Sequence, residues 1–227
     1  MAAVSQNGQN GGWAASVHSA PVPINVNDFL APHETAVVTC EMQRGTIGDL
    51  AFVPGLPEAA AEVGIVANGA RLVRGARAAG VRVLHATVGI RADRAGITVN
   101  NRMMAFSTRE PLGMLDGSPP AELIPELGPE PEDIVVHRIH GLTPFTGTEL
   151  DPLLRNLGVK TIVPIGVSVN EALLGLCLAA ADLGYRIVLP VDGVAGVPKA
   201  YAAQVLEHTL SWVATLTDVD TVLAAWA

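Results

Sequence analysis

The chain has 227 residues, of which 49% are hydrophobic and 16% are charged, and its formal net charge is −8. This size and composition fit one large domain with a full hydrophobic core. The acidic balance, without any block of Lys or Arg, argues against a nucleic-acid partner or an anionic membrane surface.

The cysteine content and the apolar runs bear on the compartment. The two cysteines, Cys40 and Cys177, provide neither a disulfide framework nor the spacing of a zinc site. The first residues lack the basic and apolar segments of a secretory signal, and no apolar run reaches the ~20 residues that span a bilayer. We therefore expect a cytoplasmic protein without membrane contact, since a reducing compartment suits such a chain.

The chain divides into an arm and a domain. Residues 1–32 begin with a Gly-, Asn- and Ser-rich stretch without period, which predicts a partly flexible N-terminal arm. Residues 33–227 alternate apolar runs of strand length with segments of helical period, each bounded by Gly or Pro. The predicted strands are Thr35–Glu41, Val81–Val88, Ile134–Ile139, Thr161–Val167, Arg186–Val191 and Val213–Leu216.

Helical segments follow most of these strands. They are predicted at Glu58–Ala79, from Thr148 to Gly158, in the Ala/Leu-rich segment before Gly184, at Pro198–Leu210 and from Asp218 to Trp226. The alternation predicts an α/β fold with three layers, α/β/α, in which a Rossmann-like, six-stranded parallel sheet carries helices on both faces.

The segment from Lys160 to Asp192 is the clearest strand–helix–strand unit. Its turn, Gly166 to Ala172, places backbone N–H groups and a helix N-terminus at the carboxyl edge of the sheet. Open α/β folds bind their ligands at that edge. This turn is therefore the predicted location of the chemistry.

A polar, Gly- and Pro-rich excursion from Gly89 to Glu126 is too long for an ordinary connection, which is typical of a lid or a partner surface. Between Gly89 and Glu110 it carries an excess of Arg over acidic residues, in Arg91, Arg94, Arg102 and Arg109 against Asp93 and Glu110. These arginines would attract a small carboxylate. The alternative is a solvated loop whose arginines pair across a subunit interface.

Three ordered segments resemble the isochorismatase-like superfamily, whose larger branch contains the cysteine hydrolases. They are VVTCEMQRG, VVHRIHGLTPFTGTELDPLLRNLG and IGVSVNEALLGLCLAAADLGYRIVLPVDGVAG, and the similarity covers Thr35 to Trp226. The resemblance implies a hydrolase of a small molecule and a homo-oligomer, either a dimer or a tetramer.

The resemblance also shows a departure from the family's pattern. In cysteine hydrolases an Asp after the first strand is the general base, a Lys after the third strand supports it, and a Cys at the helix start attacks the substrate. The corresponding positions here hold Glu41, Arg138 and Ala172. Without a thiol at position 172 there is no nucleophile for a thioester route. Cys177 is about 140° around the helix from that position, so we expect it, like Cys40, to be core packing.

Two roles remain open for Glu41 and Arg138. They could be a buried ion pair that only holds the sheet end together. Alternatively, Glu41 could act chemically, as a carboxylic acid does in true isochorismatases, which lack the cysteine and hydrolyse a vinyl ether. A neighbouring guanidinium favours an ionised carboxyl, which suits Glu41 as a base that activates water, with Arg138 holding a substrate carboxylate or a developing oxyanion.

The resemblance and the sequence together give a candidate binding set. Substrate contacts are predicted for Gln43, Arg91, Arg102, Phe145, Val167 and Ser168, and a cis peptide bond is implied between Val167 and Ser168. Asn170 and Glu171 could be helix caps, which we favour for Glu171. No cofactor and no metal is predicted, because the His and Asp residues lack ligand spacing.

These observations lead to one leading hypothesis and one alternative. The leading hypothesis is a hydrolase that uses activated water, without a cysteine nucleophile, to cleave a vinyl ether or C–N bond of a small anionic metabolite. The alternative is an inactive family member that binds a small ligand or serves as an oligomeric scaffold.

Overall fold

The computed structural model describes residues 25–108 and 113–227. The predicted flexible arm lies outside the described residues up to residue 24. Arg109 and Glu110, which were counted among the charges of the excursion, also lie outside them. Within the part that is described, Leu30 is buried and its carbonyl accepts a hydrogen bond of 3.0 Å from the indole N–H of Trp226. The end of the arm therefore packs on the last helix, while the boundary at residue 32 stays a prediction.

Within residues 25–108 and 113–227, six strands form a single parallel sheet, as predicted. They are β1 (Thr35–Cys40), β2 (Arg82–Val88), β3 (Ile134–Arg138), β4 (Thr161–Gly166), β5 (Arg186–Pro190) and β6 (Thr215–Thr217). Their spatial order is β3-β2-β1-β4-β5-β6, and every neighbouring pair is parallel. The chain therefore starts in the middle of the sheet and builds outward in one direction, then in the other.

The helices cover both faces of this sheet. They are α1 (Leu56–Val63), α2 (Ile65–Ala78), α3 (Arg102–Ser107), α4 (Leu150–Asn156), α5 (Ala172–Asp182), α6 (Lys199–Val205), α7 (Ser211–Val213) and α8 (Val219–Ala225). One core contains buried residues of α4, α5 and α6, and the opposite core contains those of α1, α2 and α8. The predicted three-layer α/β/α architecture is thus confirmed.

The central strands are apolar along their whole length because both of their faces are covered. In β1 all six residues are buried. Ala36, Val38 and Cys40 pack in the core of α4, α5 and α6, whereas Val37 packs in the opposite core. The alternation of side chains along a strand therefore divides one apolar run between two cores.

The predicted single helix Glu58–Ala79 is wrong, because Gly64 separates α1 from α2. Gly64 has a φ of 80°, a left-handed conformation that ends one helix and starts the next. The apolar period continues through the break, so helical spacing alone did not reveal it.

Several other boundaries also differ from the predictions. The Gly89–Glu126 excursion contains α3, which begins after an Asn101 side chain that accepts a hydrogen bond of 2.9 Å from the N–H of Met104. The predicted helix Pro198–Leu210 is α6 followed by a π-helical turn, Leu206–Leu210, that leads into α7. β6 lies at Thr215–Thr217 rather than Val213–Leu216.

The central strand–helix–strand unit is confirmed as β4, α5 and β5. α5 packs against both of these strands, and its buried residues include Leu173, Leu176 and Cys177. In the described part of the chain, no helix has the length and apolar character needed to cross a membrane.

Candidate active site

A cavity of about 290 Å³ lies at the carboxyl ends of the central strands. Its wall includes Glu41 after β1, Arg138 at the end of β3, and the turn from β4 to Ala172 at the start of α5. The strand order changes direction between β1 and β4, and open α/β sheets form their ligand crevice at such a point. The cavity is therefore where the fold favours a binding site.

The close approach of β1 and β4 beneath this cavity depends on a glycine. Gly166, with a φ of 116°, is the last residue of β4, and a Cβ atom there would collide with the carbonyl oxygen of Cys40. The N–H of Val167 donates to that same carbonyl over 3.0 Å. Only glycine allows this contact, which places the two strand ends side by side.

Glu41 has an unusual backbone conformation at the end of β1. Its φ is 51°, which is uncommon for a residue other than Gly and typical of functional sites held by their surroundings. Its N–H donates to the carbonyl of Ala86 over 2.9 Å, and its own carbonyl accepts from the N–H of Gln43 over 2.8 Å and from the hydroxyl of Thr46. β1 therefore ends at Cys40, and the Glu41 side chain leaves the strand's alternation.

The Glu41 carboxylate forms an ion pair with Arg138 Nη2. The Arg138 side chain is 3% exposed and that of Glu41 is 17% exposed, so the guanidinium lies deeper than the carboxylate. Nη2 also donates to the carbonyl oxygen of Leu142 over 3.2 Å. Nε and Nη1 are buried and have no hydrogen-bond partner among the described residues. The arginine thus has two buried donors that no described residue satisfies.

The turn after β4 is held in place by its own polar side chains. The Ser168 hydroxyl donates to Asn170 Oδ1 over 2.8 Å, and Asn170 Nδ2 donates to the carbonyl of Val197 over 3.1 Å. The implied cis peptide bond is present between Val167 and Ser168. Ser168, Asn170 and Ala172 all line the cavity, so the start of α5 opens directly into it.

Neither cysteine lines the cavity at this turn. Cys40 and Cys177 are both 0% exposed and pack in the core beneath α5. Burial raises the pKa of the Cys177 thiol to about 12, and it raises the pKa of Cys40 well above its usual value. Buried neutral thiols are inert, as expected for packing residues.

Most of the remaining wall is apolar. Large side chains come from the segment after β1, from α1, from α3 and from the loop after α3, namely Phe52, Leu56, Met103, Met104, Phe106 and Met114. The rings of Phe52 and Phe106 lie 6.3 Å apart between centroids, so these two segments meet above the cavity. The cavity suits a molecule with an apolar body and few polar atoms.

Of the nine residues predicted for the site, the cavity brings together Glu41, Arg138, Ala172 and Ser168. Gln43 is not among its lining residues, because its side chain binds backbone instead. Gln43 Nε2 donates to the carbonyls of Val88 and Ala121 over 2.9 and 2.6 Å, and Oε1 accepts from the N–H of Val88 over 2.9 Å. Gln43 therefore ties the end of β2 to the excursion.

Two apolar residues of the predicted set also lie outside the cavity wall. Phe145 packs in the core, where its ring stacks on Tyr185 with 6.0 Å between centroids. Val167 is fully buried in the opposite core, with α1 and α2. Neither residue lines the cavity.

The arginines of the excursion are not in the wall either. Arg91 and Arg102 are exposed and are absent from the lining residues. Arg91 donates two hydrogen bonds, of 2.9 and 2.7 Å, to Asp93, so its guanidinium is paired with a carboxylate. We therefore leave Arg91 and Arg102 out of the proposed site, and among the described residues Arg138 is the arginine that lines the cavity.

Sequence reasoning missed the apolar lining from α3 and the position of Glu171. The Asn101 cap before a Met- and Phe-rich segment was the available sign of α3. Glu171 was expected to cap α5, but its side chain makes no capping hydrogen bond and it lines the cavity. Partial burial raises the pKa of Glu171, and the charge of Glu41 raises it further.

Comparisons with known proteins agree with this fold. The chain matches the isochorismatase domain over residues 35–221, and it therefore belongs to the isochorismatase family.

In the part of the chain that the structure describes, no three His, Cys, Asp or Glu side chains are grouped as a metal site requires.

Named relatives cover nearly the whole chain. It is 29% identical to ureidoacrylate amidohydrolase RutB of Rhizobium rhizogenes, over 96% of this chain and 95% of that protein. It is also 29% identical to the isochorismatase family protein YecD of Escherichia coli O157:H7, over 84% and 95% of the two chains. A solved isochorismatase family protein from Desulfovibrio vulgaris is 27% identical, with a TM-score of 0.70 over 84% of this chain and 98% of that chain.

Proposed function

We propose that the protein is a hydrolase that cleaves a C–N bond of a small molecule with water as the nucleophile. The observation that carries this proposal is the Glu41–Arg138 ion pair in the wall of a cavity that also contains Ala172, where cysteine hydrolases have their thiol. A C–N bond is preferred to a vinyl ether because RutB, which aligns over nearly the full length, is named an amidohydrolase.

Glu41 is the base in this proposal. It forms an ion pair with a buried guanidinium, and a carboxylate can remove a proton from an attacking water molecule. The partly exposed Glu41 side chain is the more accessible member of the pair, so a water molecule reaches it from the cavity.

Arg138 positions the reacting group. Its Nε and Nη1 donors have no partner in the described residues, and the carbonyl oxygen of a bound substrate would accept from such a donor. The same contact would strengthen as negative charge develops on that oxygen during attack.

The substrate is a ureido or carbamoyl compound with an apolar portion. The carbonyl group would lie near Arg138, and the apolar portion would contact Phe52, Met104 and Phe106. The exposed arginines of the excursion do not contribute charge to this wall, so a carboxylate on the substrate is not required by the cavity.

The first test is an activity screen with 3-ureidoacrylate and N-carbamoyl amino acids of increasing apolar size, followed by ammonia release. We expect turnover that survives treatment with iodoacetamide, because the cysteines are buried. Glu41→Gln should reduce kcat by about 10²- to 10⁴-fold, the usual contribution of a general base. Glu58→Gln, an exposed glutamate of α1 outside the cavity, should retain wild-type activity.

Other outcomes of this screen contradict the proposal. Loss of activity after alkylation would indicate a cysteine route, and full activity of Glu41→Gln would remove Glu41 from the mechanism. If wild type hydrolyses nothing but one of these compounds raises its melting temperature, the chain is a ligand-binding member of the family, which is the alternative that the sequence left open.

A further inference from the structure

A second carboxyl group lines the cavity beside Ala172. Glu171 is the residue before the first turn of α5, and its carboxyl makes neither a hydrogen bond nor an ion pair with any described residue. It is more exposed than Glu41, so it lies at the open side of the cavity while Glu41 lies against Arg138. The wall therefore presents two carboxyl groups in different surroundings.

The charges around Glu171 distinguish the two groups further. The ionisable side chains of the described cavity wall are Glu41, Arg138, His140 and Glu171. Arg138 is paired with Glu41, whereas partial burial and the Glu41 charge both raise the pKa of Glu171. One carboxyl group that is paired with a guanidinium and one that is not are in different surroundings, which is how enzymes separate an acid from a base.

The guanidinium of Arg138 provides an independent sign that a ligand binds in this cavity. The residue is 4% exposed, it contributes to the cavity wall, and its Nε and Nη1 have no partner within the described residues. A buried donor without a partner is costly, and an oxygen atom of a bound molecule would satisfy it.

We propose that Glu171 is the general acid of this site and donates a proton to the leaving nitrogen while Glu41 removes a proton from the attacking water. This assignment rests on the proposed hydrolysis. The water oxygen forms the new bond to the carbonyl carbon, and the C–N bond breaks when the nitrogen receives the Glu171 proton. After bond cleavage, Glu41 is a protonated carboxylic acid and Glu171 is a negatively charged carboxylate.

Because Glu171 is exposed, the two carboxyl groups can return to their starting protonation states after the reaction. Glu41 loses its proton and Glu171 regains one, so that no net proton is consumed by the two groups. Because Glu171 lies at the open side of the cavity, it exchanges protons with solvent after product leaves. No oxidant, cofactor or further reactant enters this balance.

A titration tests the assignment without a substrate. The side-chain carboxyl ¹³C signals of ¹³C-labelled protein are followed against pH, and Glu171→Gln identifies the signal of Glu171. We expect Glu171 to titrate above the usual glutamate range, and we expect its midpoint to fall in Glu41→Gln, which removes the neighbouring charge. Glu149→Gln, an exposed glutamate outside the wall, should leave the midpoint unchanged.

Kinetics test whether the proton is used. Glu171→Gln should lower kcat for a ureido substrate by about 10²-fold or more and remove the alkaline limb of the pH–rate profile, while Glu171→Asp should retain that limb. A p-nitrophenyl ester needs no proton on its leaving group, so Glu171→Gln should lower its hydrolysis far less than that of the ureido substrate. A circular dichroism spectrum like that of wild type would show that the variant is folded.

The outcomes separate the acid from the base. If Glu41→Gln is inactive and Glu171→Gln retains full ureido hydrolysis, the assignment of Glu171 is overturned and the proposed function stands. A Glu171 midpoint within the usual glutamate range also overturns it. If wild type hydrolyses no compound of the panel, both proposals fail together.

Discussion

At the scale of single residues, the site is defined by a difference in depth between two charges. Arg138 is nearly inaccessible, and Glu41 covers one of its nitrogen atoms while facing the cavity. Removing one member of such a pair leaves the other charge without a partner, which makes the pair sensitive to substitution. Glu171, which has no pairing partner in the described residues, is free of this constraint.

The identity of residue 172 gives a prediction about reactivity. In Ala172→Cys the new thiol would lie at the N-terminus of α5, in the wall that holds Arg138, and both surroundings favour a thiolate. We expect iodoacetamide to modify it about tenfold or more faster than Cys40 and Cys177, which are fully buried. Mass spectrometry of the intact protein over time measures this rate.

Two chains serve as controls for that measurement. Wild type should show only slow modification, and Leu174→Cys, on the same helix but outside the cavity wall, should react more slowly than Ala172→Cys. Equal rates at positions 172 and 174 would show that the start of α5 does not face an open cavity.

At the scale of elements, the break between α1 and α2 depends on one backbone angle. Gly64 has a φ of 80°, and a Cβ atom there would meet only the Asn68 side chain, at 4.0 Å. Space is therefore available, and the conformation alone opposes a side chain. Substitution at this position measures the conformational term without a steric one.

We expect Gly64→Ala to lower the free energy of unfolding by about 1–2 kcal/mol, the usual cost of a left-handed conformation for alanine. Urea denaturation provides the measurement. Gly64→Asn should be less destabilising, because asparagine tolerates this conformation better than alanine does. An alanine variant as stable as wild type would mean that α1 and α2 adjust to a continuous helix.

The helices and strands also show which parts of the fold could be predicted from the sequence. The strand–helix–strand unit around α5 was predictable because β4 and β5 are short apolar runs on both sides of a segment of helical length. The helix break at Gly64 was not, because the glycine lies within an uninterrupted apolar period.

The candidate site, like the fold, could be predicted only in part from the sequence. Glu41 and Arg138 follow strands whose carboxyl ends meet, so their proximity follows from the topology. The apolar wall from α3 depends on how a long excursion folds back over the sheet, and no local pattern specifies that path. For the same reason Arg91 and Arg102 were assigned to a pocket that they do not line.

At the scale of the whole molecule, a buried histidine in the sheet makes the stability of the folded state depend on pH. His85 is fully buried on β2, where Thr39 Oγ1 lies 2.8 Å from its Nδ1 and Asp133 Oδ2 lies 3.2 Å from its Nε2. Burial lowers the pKa of His85, although Asp133 opposes this effect. The folded state therefore favours the neutral imidazole.

This preference predicts a loss of stability in mild acid. Below a pH of about 6.5 the unfolded chain takes up a proton at His85, whereas the folded chain resists it, so the free energy of unfolding falls as the pH decreases. His85→Gln should weaken this dependence between pH 7 and 5, as measured by urea denaturation at each pH. His33→Gln, at an exposed histidine, should keep the wild-type profile. Parallel profiles for all three chains would exclude the mechanism.

Two kinds of segment form the cavity wall. This division affects how the range of substrates could change. Glu41, Arg138 and the turn before α5 are held by the sheet, whereas Phe52, Met104 and Phe106 belong to connections and to a short helix above it. Replacing those connections would change which molecules are admitted and leave the reacting groups where they are. The same scaffold could thus acquire new substrates by exchanging its covering segments, with its chemistry inherited unchanged.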